Sequence, residues 1–173
     1  MIMKDTAKRI ALGGVLTALA LVLGYLEHLV PFDLGIPGVK LGLSNLVTVT
    51  ALYLLEWKYA LAVNLVRILA SSLLFGNALS LTFSLSGGML SVAVMILIRR
   101  LDKRERRGVT GVSLLGGITH NIGQLAVAII TVDNLGVAFY LPVLLAAGAV
   151  TGFVIGAVAL LVVKNKHLQK AIK

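Results

Sequence analysis

Six apolar runs separated by short polar breaks constrain this chain more than any other feature. They cover residues 10–26, 41–55, 59–75, 81–98, 112–132 and 141–163. A bilayer crossing takes roughly 17–25 mostly apolar residues, so each run reads as a transmembrane helix. The second is the shortest and carries Ser44, Asn45, Thr48 and Thr50. The break Glu56-Trp57-Lys58 divides it from the third. One unbroken helix from 41 to 75 would be about 52 Å long at ~1.5 Å per residue, too long for one crossing, so a tight hairpin is expected there. Composition agrees: 58% of the 173 residues are hydrophobic and 13% charged, against about 45–50% and about 25% in soluble domains. A globule this small has too much surface to hide such a composition. The expected fold is a single all-α membrane domain spanning 1–173, with six transmembrane helices. With no cysteine, disulfides, thiolate metal sites and a cysteine nucleophile are excluded.

Charge sets the orientation. Lys4, Lys8 and Arg9 before the first run resemble a signal peptide, but no clean small-x-small cleavage site follows, so the run reads as a retained first span. Six crossings put both termini on one side. If that side is the cytoplasm, the inner segments hold 14 of the 16 basic residues, including the run RRLDKRERR at 99–107. Only Lys40 is outside, and Arg67 lies within a span. This is a positive-inside pattern. The net charge of +9 therefore belongs to a cell-membrane topology beside anionic lipid, and nucleic acid is not an expected partner. The outer connection at 27–40 is long and carries Glu27, His28, Asp33 and two of the three prolines.

Polar groups at membrane depth are costly and mark a site facing a cavity by default. Arg67 lies nine residues from Lys58 and nine from Gly76, too deep to snorkel easily. Asn64 and Ser71, at i−3 and i+4, share its helical face. In GGITHNIGQL at 116–125, His120 and Gln124 are one turn apart with Asn121 adjacent. Two spans thus offer polar stripes at similar depth. One reading is interhelical hydrogen bonding, which suits Asn64, Ser71 and Gln124. The other is a ligand cavity, which suits Arg67, since a guanidinium has five donors and no acid lies within any span. Such a group invites an anion, a carboxylate or phosphate.

In PGVKLGLSNL at 37–46, Lys40 stands at the outer mouth and Ser44 and Asn45 open the second span. A helix N-terminus there either presents N–H groups to an anion or is capped by Ser44 or Asn45. The pairs Gly87-Gly88 and Gly116-Gly117 permit close approach of a helix or a ligand. On the first span, Ala7, Ala11, Gly14 and Ala18 form a small-residue face, suited to packing within the protein or to docking a partner.

Taken in order, PGVKLGLSNL, NLVRIL at 64–69, SLSGGMLS at 84–91 and HNIGQL at 120–125 resemble the Gx transporter family, also labelled heptaprenyl diphosphate synthase component I. The resemblance covers nearly the whole chain. That family is similar to the S components of energy-coupling factor (ECF) transporters. The resemblance implies six membrane helices with both termini inside and an outward-facing pocket for a vitamin or related micronutrient. It also implies import driven by a transmembrane coupling protein and an ATPase pair, with coupling through a small-residue face on the first helix. Ala7, Ala11, Gly14 and Ala18 would match that face, without a strict AxxxA repeat, and residues 27–40 would help close the pocket.

The second label implies a prenyltransferase. Such synthases carry aspartate clusters because Mg²⁺ takes oxygen ligands that bridge to phosphates. Here the aspartates, at 5, 33, 102 and 133, are isolated. No P-loop is present for ATP hydrolysis, and three histidines without a membrane-embedded acid make no metal site. The chain is expected to be no enzyme and to need no cofactor. The expected function is capture and import of a small anionic or amphiphilic micronutrient or isoprenoid-type molecule. Arg67, His120, Asn121 and Gln124 would line the pocket, Asn64 would support Arg67, and Lys40, Ser44 and Asn45 would guard its mouth. The alternative is a non-transporting subunit that assists prenyl or quinone metabolism or a membrane redox assembly.

Overall fold

A computed structural model describes residues 2–29, 42–102, 108–166 and 168–169. Six α-helices follow in order: α1 Ile2–Leu29, α2 Leu43–Leu54, α3 Trp57–Phe75, α4 Ala78–Leu101, α5 Gly108–Val132 and α6 Leu141–Val163. A short 3-10 helix, Leu135–Tyr140, joins α5 to α6. Five of the α-helices are long and apolar enough to cross a membrane. The exception is α2, whose 12 residues reach about 18 Å at ~1.5 Å per residue, short of the ~30 Å hydrocarbon core. The hairpin break falls where the sequence places it, with α2 ending at Leu54 and α3 starting at Trp57.

Local sequence explains the helix ends. α2 starts after Gly42, whose φ of 74° is left-handed and suits a residue without a Cβ. α4 opens with a reciprocal cap: Asn77 Oδ1 accepts from the Ser80 N–H at 2.8 Å, and Ser80 Oγ accepts from the Asn77 N–H at 3.3 Å. α6 carries Pro142 in its first turn, where a missing N–H costs nothing.

The short helix is the core. Val47, Val49, Ala51 and Leu52 of α2 are almost fully buried, and α1, α3 and α6 pack around it. A helix buried all round needs no polar face. α3 packs on α4, α4 on α5 and α5 on α6, so the bundle closes around α2 while α1 stays at its edge against α2 and α3. The closest packing is between α5 and α6. A Cβ added at Gly148 would lie 2.7 Å from the Gly117 carbonyl oxygen, one at Gly152 2.7 Å from the Ser113 oxygen, and one at Gly156 2.7 Å from Thr110 Cα. These three glycines, four residues apart, form the small-residue stripe that brings two membrane helices into backbone contact.

One end of the bundle is basic and aromatic. Arg9 of α1 pairs with Glu56 in the α2–α3 turn. The Arg99 guanidinium stacks 4.6 Å from the Tyr53 ring and that of Arg100 4.6 Å from the Trp57 ring. Arg99 also donates to the Leu52 carbonyl, and Tyr53 Oη donates to the Gly108 carbonyl at 3.1 Å. The start of α1, the α2–α3 turn, the end of α4 and the start of α5 therefore share one end, the arrangement that the charge pattern requires. The Tyr25–Phe75 ring pair, with centroids 4.8 Å apart, joins α1 and α3 at the other.

Candidate ligand-binding site

Arg67 sits on α3, 9% exposed, and its Nη2 donates both to Asn64 Oδ1 at 2.9 Å and to Asn45 Oδ1 at 3.0 Å. Asn64 in turn ties three helices. Its Nδ2 donates to the Gly88 carbonyl on α4 at 3.1 Å, and its Oδ1 also accepts from Thr48 of α2 at 3.5 Å. Buried polar groups are held this way because an unmet amide in hydrocarbon is expensive. Arg67 Nε is buried with no hydrogen-bond partner among the described residues. Among the described residues, Glu27 at the end of α1 is an acid within electrostatic reach of this guanidinium.

Glu27 also answers the question of what occupies the start of α2. Its carboxylate accepts from the Gly42 N–H at 2.5 Å and the Leu43 N–H at 3.2 Å, the favourable placing of an anion at a helix N-terminus. The capping expected of Ser44 or Asn45 does not occur: Ser44 Oγ donates to the Ala20 carbonyl on α1 at 3.2 Å, and Asn45 turns to Arg67. Those amides already hold a carboxylate from the chain itself, so the anion expected there is internal. Lys40 lies outside the described residues.

The α5 residues divide. Asn121 Nδ2 donates to the Leu144 carbonyl at 2.7 Å, a link to α6. His120 and Gln124 lie against α4 where Gly87 leaves room. A Cβ there would be 2.8 Å from the His120 oxygen and 2.9 Å from Gln124 Cγ. The glycine pairs thus serve helix contact. His120, Asn121 and Gln124 line a small cavity of about 30 Å³ together with Asn45, Ser91, Ser113, Thr151 and the apolar Val49, Met95 and Ile155. At ~10–15 Å³ per ordered water it has room for about two. So α5 and Asn45 meet, and Asn45 links that cavity to Arg67, which is not among its lining residues.

A second cavity, about 520 Å³, lies between α4, α5, the 3-10 helix and the start of α6, at the end opposite the basic cluster. Gln124 lines both cavities. Small-molecule pockets run to ~300–1,000 Å³, so this one is ligand-sized. Its walls at Phe83, Ser84, Ala128 and Tyr140 were not anticipated from the sequence, where only Gln124 stood out.

The small residues of α1 face away from the bundle. Ala7, Ala11, Gly14 and Ala18 are all exposed, and a Cβ added at Gly14 would meet nothing within 4 Å. Leu16 and Ala20 instead form the buried side of α1.

Comparison with curated proteins and with solved structures found no match. Residues 16–162 match the model of one family, heptaprenyl diphosphate synthase component I. That match runs from the middle of α1 to the end of α6 and includes the Arg67 network and the residues lining both cavities, and the chain belongs to this family.

Proposed function

We propose that this chain is the substrate-binding membrane subunit of an ECF-type importer, capturing a small anionic or amphiphilic micronutrient or isoprenoid-type molecule from outside the cell. It crosses the cytoplasmic membrane six times, with α2 a short crossing shielded by α1, α3 and α6. The basic end, and with it both termini, faces the cytoplasm. Gln124 faces the bound molecule in the larger cavity, His120 and Asn121 line the small cavity next to it, and Arg67, Asn64 and Asn45 brace the helices behind them. The chain catalyses nothing itself. The seven acidic residues are scattered, and Glu27 is committed to the start of α2.

The observation that carries this reading is the α1 face. Four small residues on one stripe are left uncovered by the described residues, although small stripes in membrane helices exist to be covered closely. A transmembrane coupling protein fits there, with an ATPase pair behind it. Gly14→Leu fills that face without touching the bundle. Affinity capture of the tagged chain from its native membrane is expected to bring down the coupling protein and ATPases, with recovery falling at least tenfold in Gly14→Leu. Equal recovery from both chains would contradict the reading.

The family description favours a second reading, a membrane subunit that serves prenyl diphosphate synthesis. Capture of a soluble prenyl diphosphate synthase in place of ATPases would establish it.

A further inference from the structure

The 520 Å³ cavity has a chemical character that narrows the ligand. Its described lining includes no acidic or basic side chain. Phe83, Ala128 and Leu144 make it mostly apolar. At the mouth, Asn77 Oδ1 and Ser80 Oγ each accept from the other residue's backbone N–H in the α4 cap. Deeper, Ser84 Oγ and the Gln124 amide make no hydrogen bond to any described residue. Gln124 is eight residues before the end of α5, which puts it about 12 Å below the mouth at ~1.5 Å per residue. Gly87 receives its stem, so the amide is held at the floor.

An apolar chamber with free donors and acceptors at its floor selects by desolvation. A neutral hydroxyl or carbonyl reaching Gln124 exchanges water for a hydrogen bond, whereas a phosphate or carboxylate would enter with no cation among the lining residues and lose far more hydration. Resting on the importer reading, we propose that the captured molecule is uncharged and amphiphilic. Its hydrogen-bonding end is seated on Gln124 and Ser84, and its apolar body runs up between α4, α5 and the 3-10 helix.

The test uses the full chain in phosphatidylcholine vesicles, photolabelled with a diazirine-bearing dodecanol. Labelled peptides are mapped by mass spectrometry, with competition by unlabelled dodecanol or dodecyl phosphate at equal mole fraction in the membrane. The expected result is saturable labelling of peptides containing Phe83 and Ala128, displaced at least tenfold better by the alcohol than by the phosphate. Gln124→Leu is expected to weaken that competition several-fold. Ala128→Trp, which fills the chamber, is expected to abolish it while diffuse labelling of α1 persists. Two results would overturn the proposal: dodecyl phosphate competing as well as or better than dodecanol, or labelling that neither saturates nor responds to Ala128→Trp. The first would reverse the ligand's charge and leave the importer reading standing, since partner capture on α1 is scored separately.

Discussion

Replacing Gly152 with leucine is expected to cost the bundle about 3 kcal/mol or more, the upper part of the range for overpacking a closed contact. Helix propensity opposes this outcome, because leucine exceeds glycine by up to ~1 kcal/mol in a helix. Packing wins because a Cβ at 152 would already stand 2.7 Å from the Ser113 oxygen and 2.9 Å from Leu114 Cα. Those are backbone atoms, so no rotamer change relieves the clash, and α5 must part from α6. Gly14→Leu is the matched control: the same substitution into open space on α1. Thermal unfolding in detergent is expected to show a large loss for Gly152→Leu and none for Gly14→Leu. Equal transitions would mean that the glycine stripe does not set the α5–α6 distance.

The second large effect belongs to Asn64. In membranes, single interhelical hydrogen bonds average only ~0.6 kcal/mol, so losing the bond to Gly88 alone would be minor. Asn64→Leu does more, because it removes one of the two acceptors of the Arg67 guanidinium. Leaving a buried charge short of partners costs about 3–5 kcal/mol. Arg67→Met, which removes the charge itself, is expected to cost less. The double variant Asn64→Leu/Arg67→Met is expected to recover part of the Asn64→Leu loss. Strict additivity across this cycle would show that the two residues do not act on each other.

The helices were legible because hydrophobic length is a strong local signal. The run read at 59–75 became Trp57–Phe75, and 141–163 became Leu141–Val163. The run at 41–55 gave the right helix, Leu43–Leu54, but its 12 residues are covered on several sides by other helices. A covered helix has no need of full membrane length, and apolarity alone does not reveal that covering. The polar residues were found for the same reason in reverse, since each stood out against lipid. What each one touches was not legible. Glu27 reaches the start of α2 across 15 residues of sequence, and Asn121 finds a carbonyl 23 residues away. The face of Ala7, Ala11, Gly14 and Ala18 was visible as a stripe, but only packing showed that the bundle leaves it uncovered. The stripe Gly148, Gly152, Gly156 has an equally clear four-residue spacing, but spacing alone does not tell a glycine stripe that meets a neighbouring backbone from one that faces lipid. The large cavity had no sequence signal beyond Gln124, because alanine, leucine and phenylalanine read alike whether they face lipid, a neighbour or a chamber.

The central claim is that this chain captures a small molecule in the chamber above Gln124 and presents it to a partner on α1. Native mass spectrometry of the full chain purified from its own membrane tests this most directly, with Ala128→Trp and Gly14→Leu beside it. The account predicts one discrete adduct mass on the wild-type chain, retained in Gly14→Leu and lost in Ala128→Trp. A ladder of ordinary bilayer lipids, unchanged across all three chains, would contradict it.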